Sequence, residues 1–332
     1  MADARAEEAA RALVAHLRAV LAAPALELAE PPAALRGGFD TEIVALRLRG
    51  APPAFAGPLV LRVLRPHHAR DMASREEATQ NAVASLGYPA PRVLLASVEP
   101  HALGAPFVLM ERLPGRPLLE ANPVGMGAVL ADAQARLHAL DAAPLARALG
   151  PPGTFEGYLD TEAGRIARAK LDGLRPLLDW LRARRPPETA TVICHGDFHP
   201  QNVLVESGRV TGVLDWPNAQ VADPALDVAA TLNILTFVPA GITSMPAAFR
   251  WLARVAQPLL ARRYLARYRR GRPIDDARLA YYQVAVGLRA LVRAGEHRRR
   301  GGPRIGLDAS PYTARLLAHA RRVSGVEATL EA

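Results

Sequence analysis

Residues 191–228 concentrate the side chains able to do chemistry. A short apolar run at 191–194 leads into His195-Gly196-Asp197-Phe198-His199-Pro200-Gln201-Asn202, a stretch too polar for a core and broken by proline, hence a loop. A hairpin pattern follows: an apolar strand at 203–205, a turn at 206–209, then 210–214 ending on Asp215. Centring the turn on Ser207-Gly208 sets Asn202 opposite Val213. Asp215 then falls two residues further along the facing strand, on the same face and about 7 Å away. An amide oxygen and a carboxylate aimed at one spot are hard donors suited to Mg²⁺ carrying phosphate. Asp197, just upstream, is placed to take or orient the proton of an attacking hydroxyl. One aspartate as base, with an Asn and a second Asp on magnesium, is the working arrangement of phosphoryl transfer.

The same residues admit a different chemistry. His195, Asp197 and His199 are all zinc-ligand types, which would make a metal-dependent hydrolase. No further His-rich segment completes such a set, and hydrolysis leaves the Asn202–Asp215 hairpin without a role. His195 reads instead as a residue that bonds the loop backbone. Asp227 reads as a buried acceptor for loop amides, and Asp223 has no assignment.

Four pieces occur in order: H-x-D-x-x-x-x-N at His195, Asp197 and Asn202; the hairpin; Leu214-Asp215-Trp216; and Ala222-Asp223-Pro224-Ala225-Leu226-Asp227. Together they resemble the catalytic segment of the aminoglycoside phosphotransferase and choline kinase-like family. There HGD stands for the protein-kinase HRD, and the last piece is similar to GDPxxDLA. The resemblance spans roughly residues 30–240. It implies a bilobed, protein-kinase-like α+β fold: a small β-rich nucleotide-binding N-lobe over 1–112, with a leading helix at 4–22, and a mostly helical C-lobe over 113–332. It also implies ATP- and Mg²⁺-dependent phosphorylation of a hydroxyl on a small molecule. Asp197 would be catalytic, and Asn202 and Asp215 would hold the metal. The competing class is a nucleotide-binding regulatory protein that keeps the fold without the activity.

By the same resemblance, Arg36-Gly37-Gly38-Phe39-Asp40-Thr41 takes the place of the phosphate-covering loop. Gly37 and Gly38 would offer backbone N–H groups to phosphate. The strand at 59–64 is where the family carries its phosphate-binding lysine. Lys170, the sole lysine, lies far downstream, so Arg62 takes that position and would bind phosphate as a bidentate fork. The helix at 70–86 supplies the glutamate that positions it: Glu77, with Glu76 as the fallback. Met110-Glu111-Arg112-Leu113-Pro114-Gly115 resembles the interlobe hinge, where the main chain of Glu111 and Leu113 would meet adenine.

The elements that must position these residues read as follows. The helix at 4–22 places Leu13, Leu17, Val20 and Leu21 on one face. Strands follow at 43–48, 59–64, 93–98 and 107–110. The helix at 70–86 carries Ala78, Ala82 and Leu86 as its apolar stripe and stops at Gly87. Further helices are expected at 126–140, 158–184, 249–269, 274–293 and 311–323. The uncharged run 228–249 is long enough to span a bilayer, but Asn233, Pro239, Gly241 and Pro246 make it a buried helix plus loop.

Composition narrows the setting. Half the 332 residues are hydrophobic and the net charge is +9, carried by arginine apart from Lys170. Base composition of the source genome accounts for that bias better than nucleic-acid binding, so no nucleic-acid partner is expected. A single cysteine, Cys194, excludes an internal disulfide and fits a reducing cytosol. Acidic residues near the N-terminus and no apolar h-region argue against a signal peptide, so a cytoplasmic chain without membrane association is expected. Downstream of Pro246 eighteen arginines face six acids, Asp275, Asp276, Glu296, Asp308, Glu327 and Glu331. That supply of carboxylates is too thin for a polycation clamp, and a neutral or anionic hydroxylated metabolite is expected as acceptor rather than an aminoglycoside.

Overall fold

The computed structural model describes residues 2–35, 41–64, 69–98, 103–122, 124–150, 153–187, 189–238, 247–301 and 310–330. They fall into two compact units. One comprises Met1–Ala121, Ala143–Gly150 and Gln201–Asn218; the other comprises Asn122–Ala142, Pro151–Pro200 and Ala219–Ala332. The first unit therefore runs past the lobe boundary expected after Arg112 and takes in the Asp215 hairpin. The cause is pairing: Val203–Glu206 adds to the two-residue strand Arg116–Pro117, and the Val213 amide donates to the Pro89 carbonyl at 2.7 Å.

The first unit is built on a five-stranded antiparallel sheet in the order Ala33–Ala34, Thr41–Leu46, Leu59–Leu64, Phe107–Glu111, Val93–Ser97. Period-two alternation sorts its central strand. Leu59 and Leu61 pack with Leu13 and Leu17 of the leading helix, Ala2–Val20, whereas Val60 and Leu64 pack with Ala73 of the helix Ala69–Ser85. Arg62 shares parity with Val60 and Leu64 and so faces that second helix. Val20, expected in the leading helix's core face, is exposed.

Helix Ala69–Ser85 forms where expected but buries a different face. Ala73, Glu76, Gln80 and Val83, spaced i, i+3, i+7 and i+10, are buried, while Ala78, Ala82 and Leu86 are only partly so. An apolar stripe misplaces this helix because its inward face carries the polar residues Glu76, Thr79 and Gln80, the first and last joined by a bond from Gln80 Nε2 to Glu76 Oε1 at 2.8 Å.

The second unit is mostly helical: Met126–His138, Phe155–Ala169, Arg175–Ala183, Pro224–Phe237, Ala247–Gly271, Asp276–Arg299 and Ser310–Ser324. A short antiparallel ladder pairs Val192–Cys194 with Gln220–Ala222. The single helix expected over 158–184 is two helices. Lys170 ends the first in a left-handed conformation, φ 51°, and Pro176 sits at the start of the second. The apolar run from Val228 opens inside the buried helix Pro224–Phe237, and residues 239–246 lie outside the described residues. Among the described residues no helix is long and apolar enough to cross a membrane. A small β-rich unit and a mostly helical one constitute the α+β, protein-kinase-like architecture expected.

Candidate active site

Arg62 enters a cluster of carboxylates within the first unit. Its Nη1 donates to Glu76 Oε1 at 2.9 Å and to Asp215 Oδ1 at 3.2 Å. Glu77, expected as the partner, is replaced in that role by Glu76. The helix turns Glu76 inward with Ala73 and Gln80, whereas Glu77 sits one position round on a partly exposed face. The Glu76 side chain is 1% exposed and that of Asp215 40%. Burial opposes the Arg62 charge, but the attraction of Glu76 and Asp215 outweighs it and raises the guanidinium pKa. Burial likewise pushes the Glu76 carboxyl up, against the pull of Arg62. Arg62 Nε and Glu76 Oε2 are buried with no hydrogen-bond partner, so donor and acceptor capacity remain unused here.

The hairpin that delivers Asp215 forms with its turn at Ser207-Gly208, both at positive φ (49° and 77°). Near the turn its register is the expected one, Glu206 opposite Arg209 and Val205 opposite Val210. A bulge then intervenes, and Leu204 faces Gly212 and Val203 faces Val213. Thr211 is the extra residue, and its hydroxyl donates to the Pro114 carbonyl at 2.6 Å. Asn202 consequently lies across from Leu214, whose amide donates to the Asn202 carbonyl at 2.8 Å, and not from Val213 as simple pairing predicts.

Past that bond the chain leaves the strand, with Asp215 left-handed at φ 68°. Aspartate tolerates that region better than most residues, and such conformations persist where the surroundings fix them. Here Trp216 does the fixing. It is fully buried, its Nε1 donates to the Val213 carbonyl at 2.8 Å, and its ring meets Tyr88 edge-on at 5.9 Å. Arg75 Nε adds a bond to the Pro217 carbonyl at 3.2 Å. Helix Ala69–Ser85 thus holds the segment that follows Asp215. Asn202 and Asp215 are half-buried oxygen donors at one end of the hairpin, and Asp215 retains a solvent-facing edge. That donor chemistry fits Mg²⁺.

Asp197 belongs to the second unit, where it follows the strand Val192–Cys194. It is partly exposed, its amide donates to His195 Nδ1 at 3.2 Å, and its Oδ1 lies 3.7 Å from His199 Nε2. His195 is fully buried against Phe198, the structural role expected of it. His195, Asp197 and His199 do not converge as a zinc set. Among the described residues the side chains close enough to share a metal are His138, Cys194 and Asp227, all in the core. Burial pushes the Cys194 thiol well up, consistent with a buried, unreactive residue.

The loop carrying Asp197 is held from beneath. Asp227 Oδ1 accepts the Gly196 amide at 2.6 Å, while its Oδ2 accepts Gln134 Nε2 at 2.8 Å and contacts His138 Nε2 at 2.9 Å. His138 Nδ1 in turn contacts the Tyr268 hydroxyl at 2.6 Å, and Tyr264 bonds Gln134 Oε1. Thr231 donates to the Phe198 carbonyl at 2.9 Å. Burial alone would raise the Asp227 pKa, but the His138 and Gln134 hydrogen bonds and the nearby histidines outweigh it and hold the group at about 2. Asp223, without a sequence assignment, caps helix Pro224–Phe237. Its Oδ1 accepts the Ala225 amide at 2.8 Å, and its Oδ2 accepts from Thr189 and Arg278.

The remaining predicted residues divide in two. Gly37 and Gly38 lie outside the described residues. At the hinge, the Glu111 amide is committed to the Arg92 carbonyl at 2.9 Å and the Arg112 amide to the Pro58 carbonyl at 2.9 Å. Of the main-chain groups of Glu111 and Leu113 expected to meet a base, the Glu111 amide is therefore already engaged. Gly115 ends the hinge at φ 108°, where a Cβ would stand 2.9 Å from the Val205 carbonyl and 2.6 Å from Thr211 Oγ1. Only glycine fits.

Comparison with known proteins gives the family. The model of the phosphotransferase enzyme family matches residues 32–282. Aminoglycoside 3'-phosphotransferase of Streptomyces fradiae is 32% identical over 212 residues, covering 60% of this chain and 72% of that protein. Acyl-CoA dehydrogenase family member 10 of Mus musculus is 31% identical over 176 residues, but the chain spans 16% of its length. Among solved structures, a thermostable aminoglycoside phosphotransferase APH(4)-Ia in complex with AMP-PNP and hygromycin B superposes with TM-score 0.67 at 20% identity, covering 95% of this chain and 99% of that one. The macrolide 2'-phosphotransferase MphH of Brachybacterium faecium gives TM-score 0.57 at 22% identity over 95% and 99% of the two chains. The chain belongs to the phosphotransferase enzyme family. It is a small-molecule phosphotransferase with an alcohol group as acceptor.

Proposed function

We propose that this enzyme transfers the γ-phosphoryl group of ATP, with Mg²⁺, to a hydroxyl of a small molecule. The observation that carries the reading is the Arg62–Glu76–Asp215 cluster. It joins a phosphate-binding cation, the buried carboxylate that aims it, and a half-exposed carboxylate at the hairpin end that also bears Asn202. Asn202 and Asp215 would hold Mg²⁺, which when bound would supply positive charge against the phosphates. Arg62 binds phosphate through donors not engaged by Glu76. Asp197 orients the acceptor hydroxyl and takes its proton. Adenine meets the Glu111 carbonyl and the Leu113 amide, and Gly37 and Gly38 cover the phosphates. The AMP-PNP held by APH(4)-Ia supports the choice of nucleotide.

The acceptor is a neutral or anionic hydroxylated molecule. In the helical unit the carboxylates Asp132, Glu162, Asp223, Asp276, Glu296 and Glu327 each engage an arginine, which leaves little negative charge for a polycation. The test is Mg²⁺-dependent ADP release from ATP across a panel of hydroxylated acceptors. Turnover with at least one of them is expected. An enzyme that binds no Mg·ATP, or turns over equally well in excess chelator, overturns the reading.

A further inference from the structure

The Arg62–Glu76–Asp215 cluster is out of charge balance. Two carboxylates share one guanidinium, and they share it through one nitrogen: Nη1 serves Glu76 at 2.9 Å and Asp215 at 3.2 Å. Glu76 is bound to this arrangement because its side chain is 1% exposed and an unpaired carboxylate there is costly. Asp215, at 40% exposure, is the member able to change partner. A divalent cation on Asp215 would give each carboxylate its own positive charge. Arg62 would then have no call on Asp215 and could turn that side of its guanidinium to phosphate.

We propose that Asp215 retains Arg62 until a divalent cation binds Asp215, and that this binding frees Arg62 for phosphate. The inference rests on the nucleotide reading above. It assigns Arg62 a second, metal-free partner and makes Asp215 a positioning residue for Arg62. Arginine suits this exchange better than lysine. Nη1 keeps its bond to Glu76 while the other half of the planar fork, which neither carboxylate occupies, serves phosphate.

A double-mutant cycle on metal-free ADP binding, measured by calorimetry in EDTA, separates this from simple repulsion between Asp215 and phosphate. If Asp215 retains Arg62, Asp215→Asn tightens metal-free ADP binding at least about threefold, and most of that gain disappears in an Arg62→Gln background. Repulsion alone predicts the reverse, because Asp215 is less neutralised once Arg62 is gone and its removal then helps more. A gain in the Arg62→Gln background equal to or larger than in the wild-type background overturns the proposal, as does no gain in either. Should Arg62→Gln strand Glu76 and fail to fold, Arg62→Gln combined with Glu76→Gln removes the stranded charge and serves as the background. Wild-type protein that binds no ADP even with saturating Mg²⁺ overturns the nucleotide reading itself, and this inference with it.

Discussion

The Gly196 amide donates to Asp227 Oδ1 at 2.6 Å, tying the loop that carries Asp197 to a carboxylate buried in the following helix. Three groups meet the Asp227 carboxylate with a nitrogen: the Gly196 amide, Gln134 Nε2 and His138 Nε2. An ionised carboxylate accepts from all three. An amide in its place brings two donors of its own into a ring of donors. Asp227 therefore supports the loop that carries Asp197 only as an anion.

That requirement sets a pH dependence. The folded-state pKa of Asp227, about 2, lies below the ordinary 3.8. Between those values the unfolded chain binds more protons at this site than the native state does. The contribution is therefore fully present above about pH 4 and lost as pH falls through about 2, amounting to about 2 kcal/mol at neutrality. Denaturant melts of wild type and Asp227→Asn should differ most at neutral pH, and the gap should narrow by roughly that amount at pH 2. A gap that is constant across this range removes Asp227 from the acid limb.

Asp197→Asn would remove the proposed proton acceptor but keep shape and size. Turnover should fall by several orders of magnitude, while Mg·ATP affinity stays within about tenfold of wild type. Turnover near the wild-type rate would exclude Asp197 as the base.

Asp215→Ala should abolish the Mg²⁺-dependent part of nucleotide stabilisation. Mass action puts that stabilisation at about 2.7 kcal/mol when ligand stands a hundredfold over its dissociation constant. An unchanged thermal shift with Mg·ATP in the variant would locate the metal elsewhere.

How far the sequence reveals these features depends on the kind of interaction. Asp197, Asn202 and Asp215 are legible because loop, hairpin and motif spacing are all local along the chain. The bulge at Thr211 is not, since the contact that holds it, the Pro114 carbonyl, is 97 residues away in sequence. Glu76 ranks behind Glu77 in the sequence for a related reason. Apolar periodicity locates buried faces only when apolar residues fill them, and helix Ala69–Ser85 turns Glu76 and Gln80 inward. Strand parity held part of the missing signal: Arg62 shares a face with Val60 and Leu64 and so turns toward that helix. Asp223 could not be assigned because its partners Thr189 and Arg278 come from distant segments.

The choice between adjacent glutamates is testable directly. Glu76→Gln keeps the Gln80 contact but removes the charge that holds Arg62, and should lower kcat/KM by at least about tenfold. Glu77→Gln should stay within about twofold of wild type, its side chain lying outside the cluster. The opposite order of effects would restore Glu77 as the partner of Arg62.

The acceptor preference follows from which carboxylates are already engaged. Aminoglycosides carry several ammonium groups and need unpaired acids to hold them. In the helical unit Asp132 binds Arg267 through two bonds of 2.7 and 3.0 Å, Glu162 and Glu296 share Arg165, and Asp223 is enclosed by Thr189 and Arg278. Asp275 spends its carboxylate capping helix Asp276–Arg299, accepting the Arg278 amide at 2.8 Å. Drawing any of these acids to a drug would strand an arginine or uncap a helix, the latter at a cost of about 1 kcal/mol. Kinetic comparison should therefore give a higher kcat/KM for a neutral or anionic polyol than for kanamycin-like compounds. It should also give a salt dependence in which added salt weakens an anionic acceptor, because a basic surface attracts it through a field screened over about 8 Å at physiological salt. Efficient turnover of kanamycin-like compounds, faster than any neutral or anionic alcohol in the panel, would defeat this assignment while leaving the roles of Asp197, Asn202 and Asp215 standing.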